Sequence, residues 1–144
     1  MSTEIQIDAL PPVKMAAKME DVGVAKSKLK ADTMFVLAIL AGAFIGTGAI
    51  FATTVSTGLA AAGMGYGMVR LLSGLVFCLG LIAVVVAGAE LFTGNNLITM
   101  AWANGKVSTV ALLRNWGVVY LGNFVGSIVT AVLMLSGCLS AIFD

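Results

Sequence analysis

Long uncharged stretches constrain this chain more than any other feature of its sequence. No charged residue occurs from Thr33 to Val69, and Glu90 is the only one from Leu71 to Gly105. About 20 consecutive apolar residues are enough to cross the hydrocarbon core of a bilayer. Because 60% of the residues are hydrophobic and the mean hydropathy is +1.06, the sequence predicts an all-α integral membrane protein.

The uncharged stretches divide into three predicted spans. Residues 33–144 are predicted to form the membrane domain, with spans at 34–55, 68–104 and 110–139. Glycines at 58–67 and the residues Asn104 to Lys106 predict the two connecting turns. Residues 1–32 are predicted to form a cytoplasmic tail and a short amphipathic helix at the membrane surface, opened by Pro11 and Pro12.

Basic residues predict the orientation. They concentrate before the first span and around the turn before the third: Lys14, Lys18, Lys26, Lys28, Lys30, Lys106 and Arg114. The turn between the first two spans has only Arg70, at its far end. Cytoplasmic loops carry an excess of lysine and arginine, so we expect a multi-pass protein of the inner (cytoplasmic) cell membrane. Its N-terminus would lie in the cytoplasm and Asp144 outside.

Small residues recur at four-residue spacing in two of the predicted spans. Ala38, Gly42 and Gly46 form one row, and Gly122 and Gly126 form another. Such rows let helix backbones approach closely, which favours a packing role over a role for any single glycine. Three spans cannot enclose a lumen alone, so we expect partner segments.

The polar segment "GAELFTGNN", Gly88 to Asn96, interrupts the second predicted span. Non-helical backbone survives inside a membrane only where protein buries it or where it lines a watery cavity. Asn95 and Asn96 are good N-cap residues for a half-helix that we expect to begin near Leu97. The free N–H groups and the positive dipole end of such a half-helix suit an anion. The segment therefore predicts a break at 88–96, in the middle of the membrane, beside an anion pathway.

Each residue of the break has an expected role. Glu90 should need a partner or water, because a carboxylate in a membrane is costly. We expect it to turn from the path and to brace the loop by accepting hydrogen bonds from backbone N–H groups; a proton carrier is the alternative. Thr93 would donate a hydroxyl to the anion, while Leu91 and Phe92 would narrow the path. Ordinary lipid or helix contact is the alternative for these three.

Several classes of function are not expected. Histidine is absent, and Cys78 and Cys138 lie in apolar runs without a CxxC spacing. This composition disfavours metal sites and histidine-activated nucleophiles, and the cysteines are expected to be buried free thiols. Basic residues are too few and too scattered for a phosphate-binding surface. We expect neither an enzyme nor a metal, a cofactor or a nucleic-acid partner.

Three stretches of the sequence are distinctive: "VVAGAELFTG" (Val85 to Gly94), "RNWGVVYLGNFVG" (Arg114 to Gly126) and "FVLAILAGAFIG" (Phe35 to Gly46). The first resembles the signature of the formate/nitrite transporters, and the second resembles the start of that family's third helix. The third stretch and the amphipathic helix fit the same family. The resemblance implies an aquaporin-like fold of six membrane segments in two inverted repeats, assembled as a homo-pentamer with one pore per protomer. It also implies small monovalent anions as substrates: formate, nitrite or hydrosulfide.

The resemblance also implies roles for single residues. Thr93 matches a threonine that faces the pore. Leu91 and Phe92 match constriction residues near the cytoplasm, and Phe77 and Leu81 match those nearer the outside. Asn95 and Asn96, with Gly94, belong to the loop and to the start of the half-helix.

The chain departs from the family pattern in length. Members carry a second broken helix with an asparagine and with a histidine thought to pass a proton to the anion, and this sequence has neither that helix nor any histidine. We expect a fragment that represents the first inverted repeat, so half of an aquaporin-like fold. The alternative is a half-length protein that pairs with another copy or with a second chain.

The favoured function is a transmembrane channel for small monovalent anions, with formate as the best single substrate. One rival is a neutral-solute pore of the aquaporin kind, although no "NPA" sequence occurs. A second rival is a membrane scaffold or assembly subunit that transports nothing.

Overall fold

The computed structural model describes residues 10–143, and the side chains of residues 10–138. Every regular element in this part of the chain is an α-helix. The helices are α1 (Pro12–Ser27), α2 (Ala31–Ala61), α3 (Tyr66–Val86), α4 (Phe92–Asn95), α5 (Ile98–Ala103) and α6 (Thr109–Phe143). The predicted polar tail at residues 1–9 and the predicted outward position of Asp144 lie outside the described residues.

Three of these helices, α2, α3 and α6, are long and apolar enough to cross a membrane. The prediction of an all-helical membrane fold with three spans is therefore confirmed. The first span is longer than its predicted bounds because Gly58 does not end the helix. Helix α2 continues to Ala61, and the chain turns at Gly63, whose φ of 77° lies in the left-handed region that glycine tolerates.

Glycines let α6 lie directly against α2, as the four-residue rows predict. A Cβ atom on Gly126 would lie 2.0 Å from the carbonyl oxygen of Ile39, and one on Gly42 would lie 2.1 Å from that of Asn123. A second close approach, between α2 and α3, was not predicted. There, a Cβ on Gly80 would lie 2.8 Å from the carbonyl oxygen of Phe44. Helix α2 is thus held between α3 and α6 with its backbone in contact with both.

Helix α1 packs on the short helix α5. Gly23 lies at their contact, where its missing side chain leaves room for the Cα of Ile98. The carboxylate of Glu20 accepts hydrogen bonds from the Lys106 ammonium and the Asn104 amide in the turn after α5. The hydrogen bond from Lys106 lowers the pKa of Glu20, and the same bond raises the pKa of Lys106.

The end of α1 is fastened to α6. The guanidinium of Arg114 donates to the carbonyl oxygens of Ser27, at 3.0 Å, and Leu29, at 2.8 Å. These oxygens belong to the last residue of α1 and to the connection between α1 and α2, where helical partners are missing. Because α1 is bonded at Glu20, near its middle, and at its C-terminal end, this half of the helix is held in a fixed position relative to α5 and α6.

Much of the apolar surface of the spans faces no other part of the described chain. Leu71, Val86 and Leu133, for example, are each more than half exposed. Cys78 and Cys138, which we expected to be buried, are exposed on these outer faces. The described helices therefore leave extensive apolar surface to be covered by lipid or by further protein segments.

Candidate functional site

The chain leaves the helical conformation directly after α3. Gly88, with φ of 62°, follows the helix end, and its N–H donates to the carbonyl oxygen of Val85 at 3.2 Å. The N–H of Ala89 donates to the carbonyl oxygen of Val84 at 3.0 Å. This pair of reverse bonds is a Schellman motif, in which glycine takes the left-handed position and the last carbonyls of the helix are satisfied. Helix α3 therefore ends through hydrogen bonds between residues that are close in sequence.

Two of the next three peptide N–H groups, those of Glu90 and Phe92, are bonded to other helices. The N–H of Glu90 donates to the carbonyl oxygen of Leu37 in α2, at 3.2 Å. The N–H of Phe92 donates to the side-chain oxygen of Asn123 in α6, at 2.9 Å. Residues 87–91 therefore form a break between α3 and α4 whose backbone is bonded to its surroundings.

The half-helix after the break begins earlier than the sequence predicts. We expected it near Leu97, with an asparagine as N-cap, but α4 begins at Phe92 and neither α4 nor α5 has a side-chain N-cap bond. Asn96 and Leu97 keep right-handed helical angles between α4 and α5. The cap prediction was wrong because the half-helix begins at Phe92, before either asparagine, so that Leu91 takes the N-cap position; the N–H of its first residue, Phe92, is bonded to Asn123 of α6.

Asn123 is the central contact of the break. Besides accepting from Phe92, its amide nitrogen donates to the carbonyl oxygen of Ala38 in α2, at 2.8 Å, and to that of Glu90, at 2.9 Å. One side chain of α6 thus joins α2 to the C-terminal end of the break and to the start of α4. Asn123 is absent from the residues predicted for the site, although an amide in an apolar span indicates a bonded partner.

A closed ring of hydrogen bonds surrounds the Glu90 carboxylate. The carboxylate accepts from the Lys26 ammonium at 2.6 Å and from the Asn95 amide at 2.7 Å. The same amide nitrogen of Asn95 donates to Asn115 at 2.9 Å, and the amide of Asn115 donates to the carbonyl oxygen of Lys26 at 3.4 Å. The ring joins α1, the break, α4 and α6.

The observed donors to the Glu90 carboxylate differ from the expected ones. Side chains, rather than backbone N–H groups of the loop, bond to the carboxylate, because the residue is 4% exposed and faces α1 and α4. The need for a partner is met by Lys26, which the sequence analysis had used only to set orientation. Whether Glu90 acts as a brace or as a proton carrier stays a prediction.

Removing the cation of this pair is expected to destabilise the fold. Lys26→Met should lower the free energy of unfolding by about 1–3 kcal/mol, less than for a fully buried pair, since the Lys26 side chain is 27% exposed. Adding Glu90→Gln should restore part of the loss, because no uncompensated carboxylate remains. Detergent titration in mixed micelles measures the unfolding of the single and the double variant, with Lys28→Met as the matched exposed control. Equal effects of Lys26→Met and Lys28→Met would contradict the pairing.

Three predicted pathway residues lie together at the start of α4. Leu91 packs against buried Ala41, Val84 and Ala89, while Phe92 packs against buried Met34, Ala38 and Val119. Thr93 is exposed, and its hydroxyl has no hydrogen-bond partner among the described residues. The structure therefore places two apolar side chains and a free hydroxyl in sequence along the half-helix.

The other two predicted pathway residues lie on α3. Phe77 is 38% exposed and Leu81, one turn later, is 50% exposed. Leu81 and Leu91 share a cleft of about 460 Å³ that also reaches Lys26. A role of these residues in a pathway stays a prediction, as does the depth of the break in the bilayer.

Most of the backbone N–H groups that were expected to face an anion already donate hydrogen bonds within the protein. The N–H groups of Asn95 and Asn96 donate within the half-helix, to the carbonyl oxygens of Leu91 and Phe92. In the part of the chain that the structure describes, the N–H groups of Thr93 and Gly94 have no acceptor, as is usual in a first helical turn. The available donors thus lie around Thr93 rather than Asn95.

Known proteins resemble this chain over most of its length. A family model described as formate/nitrite transporter matches residues 13–143. The formate channel FocA of Haemophilus influenzae is 42% identical over 130 residues, which cover 90% of this chain and 45% of that protein. The formate channel FocA of Escherichia coli K12 is 42% identical over 138 residues, covering 95% and 48%.

A solved structure shares the fold. It is described as a pentameric formate channel with formate bound, and it matches with a TM-score of 0.67 and 50% sequence identity over 74% of this chain and 41% of that one. The chain spans just under half the length of the curated relatives it matches. The family model covers both the break and the helices that hold it. The chain is therefore a membrane protein that belongs to the formate/nitrite transporter family.

Proposed function

We propose that this chain supplies one half of a permeation path for small monovalent anions, with formate as the substrate. Nitrite and hydrosulfide are the other anions to test. The chain would act as the first of two inverted repeats, within a pentameric protein of the inner membrane whose N-terminus lies in the cytoplasm. The relatives named formate channels and the pentameric neighbour support this proposal.

The observation that carries the proposal is the donor group at the start of α4. The Thr93 hydroxyl and the N–H groups of Thr93 and Gly94 are without acceptors among the described residues, and Thr93 is exposed. Neutral donors stabilise an anion without adding a positive charge that would trap it. Discontinuous membrane helices present such donors to anions in transporters.

Electrostatics near the break favour the same function. A lone carboxylate beside the path would repel an anion, but the Glu90 carboxylate bonds to the Lys26 ammonium at 2.6 Å. The apolar side chains of Leu91 and Phe92 precede Thr93 directly. An anion would shed water between them and recover hydrogen bonds at the donors of α4.

A chimera tests the proposal. Residues 13–143 replace the matching half of the Escherichia coli formate channel, and formate flux into liposomes is measured. We expect flux above empty vesicles. Thr93→Val should reduce it by about threefold to tenfold, the worth of one hydrogen bond. Thr99→Val is the matched control, since the Thr99 hydroxyl bonds to a carbonyl oxygen of its own helix.

Each result of this experiment has a defined meaning. A folded, oligomeric chimera without formate flux would contradict the proposal and favour the scaffold alternative. Flux of glycerol or water without flux of anions would favour the neutral-solute pore. Equal flux in the Thr93→Val and Thr99→Val variants would remove Thr93 from the path.

A further inference from the structure

Two aromatic rings of α6 contact the ring of Phe92. The ring centroids of Phe92 and Tyr120 are 5.5 Å apart with an interplanar angle of 75°, and those of Phe92 and Trp116 are 6.1 Å apart at 62°. Both pairs meet edge to face, the arrangement that aromatic quadrupoles favour. Trp116 and Tyr120 are four residues apart in a helix and so lie on the same side of α6.

The backbone of Phe92 and the ring of Trp116 are each fixed by hydrogen bonds. The N–H of Phe92 is bonded to Asn123, which leaves side-chain rotation as the main freedom of this residue. The indole N–H of Trp116 donates to the carbonyl oxygen of Asn95 in α4, at 3.3 Å. Helix α4 thus both carries Phe92 and restrains one of the rings that contact it.

We propose that Trp116 and Tyr120 are positioning residues that fix the orientation of the Phe92 ring and thereby the size of anion that passes it. The inference rests on the proposed function, in which Phe92 narrows the path. Tyr120 is 58% exposed and shares a cleft of about 280 Å³ with Leu91 and Phe92. Its ring therefore lies beside the proposed constriction without being covered by the described chain.

The ring of Tyr120, rather than its hydroxyl, is expected to matter. Among the described residues, no hydrogen bond reaches this hydroxyl, so Tyr120→Phe keeps every contact made by the side chain. Tyr120→Leu removes the edge-to-face pair and leaves a branched aliphatic side chain of smaller size. The Phe92 ring should then rotate more freely.

A fluorine label tests ring orientation without a transport assay. Fluorophenylalanine is incorporated at position 92 of this chain in lipid bilayers, and its ¹⁹F spectrum is recorded. We expect the resonance to be unchanged by Tyr120→Phe and to move toward the value of a freely rotating ring in Tyr120→Leu and Trp116→Leu. Tyr66→Leu is the control, because Tyr66 is 80% exposed and has no ring contact with Phe92. An unchanged resonance in Tyr120→Leu would overturn the inference.

Selectivity gives the second readout, in the chimera described above. Tyr120→Leu should raise acetate flux relative to formate flux by about threefold to tenfold, as the loss of an aromatic pair suggests. In a Phe92→Ala background the same change should have no further effect, which a general structural defect would not reproduce. An equal effect in both backgrounds overturns the positioning role. If no variant passes formate, the proposed function fails, and the ¹⁹F spectrum alone decides the inference about ring orientation.

Discussion

Replacing Asn123 by alanine is expected to lower the free energy of unfolding by about 2–4 kcal/mol. The change leaves the N–H of Phe92 and the carbonyl oxygen of Glu90 without their partner, and it removes a second bond from the carbonyl oxygen of Ala38, which also accepts within α2. Each unsatisfied buried polar group costs about 1–3 kcal/mol. Side-chain hydrogen bonds within membranes are often worth less, so the loss lies in the lower part of the range that two such groups allow.

Detergent-induced unfolding, followed by helical circular dichroism, measures this loss. Asn96→Ala is the matched control: Asn96 is exposed beside the break, and its side chain has no hydrogen bond in the described structure. The control should stay within about 0.5 kcal/mol of the starting protein. Asn123→Asp, which keeps an acceptor for Phe92 but loses both donated bonds, should be no more stable than Asn123→Ala. If Asn123→Ala and Asn96→Ala unfold alike, Asn123 does not hold the break.

The second large effect is expected from one methyl group on Gly126. Gly126→Ala would place a Cβ 2.0 Å from the carbonyl oxygen of Ile39, and backbone atoms cannot move aside as a flexible side chain does. Helices α2 and α6 must separate, which also pulls Asn123 from its acceptors. Overpacking of a well-packed core costs about 1–3 kcal/mol and sometimes more, so we expect about 3 kcal/mol here.

Gly117→Ala is the matched control for this clash. Gly117 lies in the same helix, and a Cβ there meets open space. Alanine is the better helix former, so this variant should gain up to about 1 kcal/mol. The same unfolding measurement compares the two. A Gly126→Ala variant as stable as Gly117→Ala would mean that α2 and α6 are farther apart than the structure places them.

The sequence predicts well those features that depend on composition and regular spacing. Span number follows from the long uncharged stretches, and close helix packing follows from the spacing of Gly42 with Gly46 and of Gly122 with Gly126. The position of the break follows from the glycine and polar residues of one short segment. These signals are local, so one sequence is enough to recognise them.

Features that depend on tertiary partners were missed or misplaced. The half-helix start was misplaced because the break is held by a tertiary contact: Asn123, distant in sequence, bonds to the N–H of Phe92, where α4 begins. The donors to Glu90 were misassigned because Lys26 and Asn95 meet it only after α1 and α4 have packed. An unbonded amide in an apolar span is costly for the same reason as an unpaired carboxylate, so the sequence does contain a signal that Asn123 has hydrogen-bond partners.

The backbone leaves the helix between α3 and α4 and is held there by α6. Solid-state NMR of the labelled chain in lipid bilayers tests this break most directly, through the ¹³Cα and ¹³Cβ shifts of Ala89, Glu90 and Leu91. We expect non-helical shifts at all three, extended at Leu91 (φ −102°, ψ 130°), with helical shifts resuming at Phe92. Helical shifts running without interruption from Val86 to Phe92 would contradict the break, and with it the proposed path.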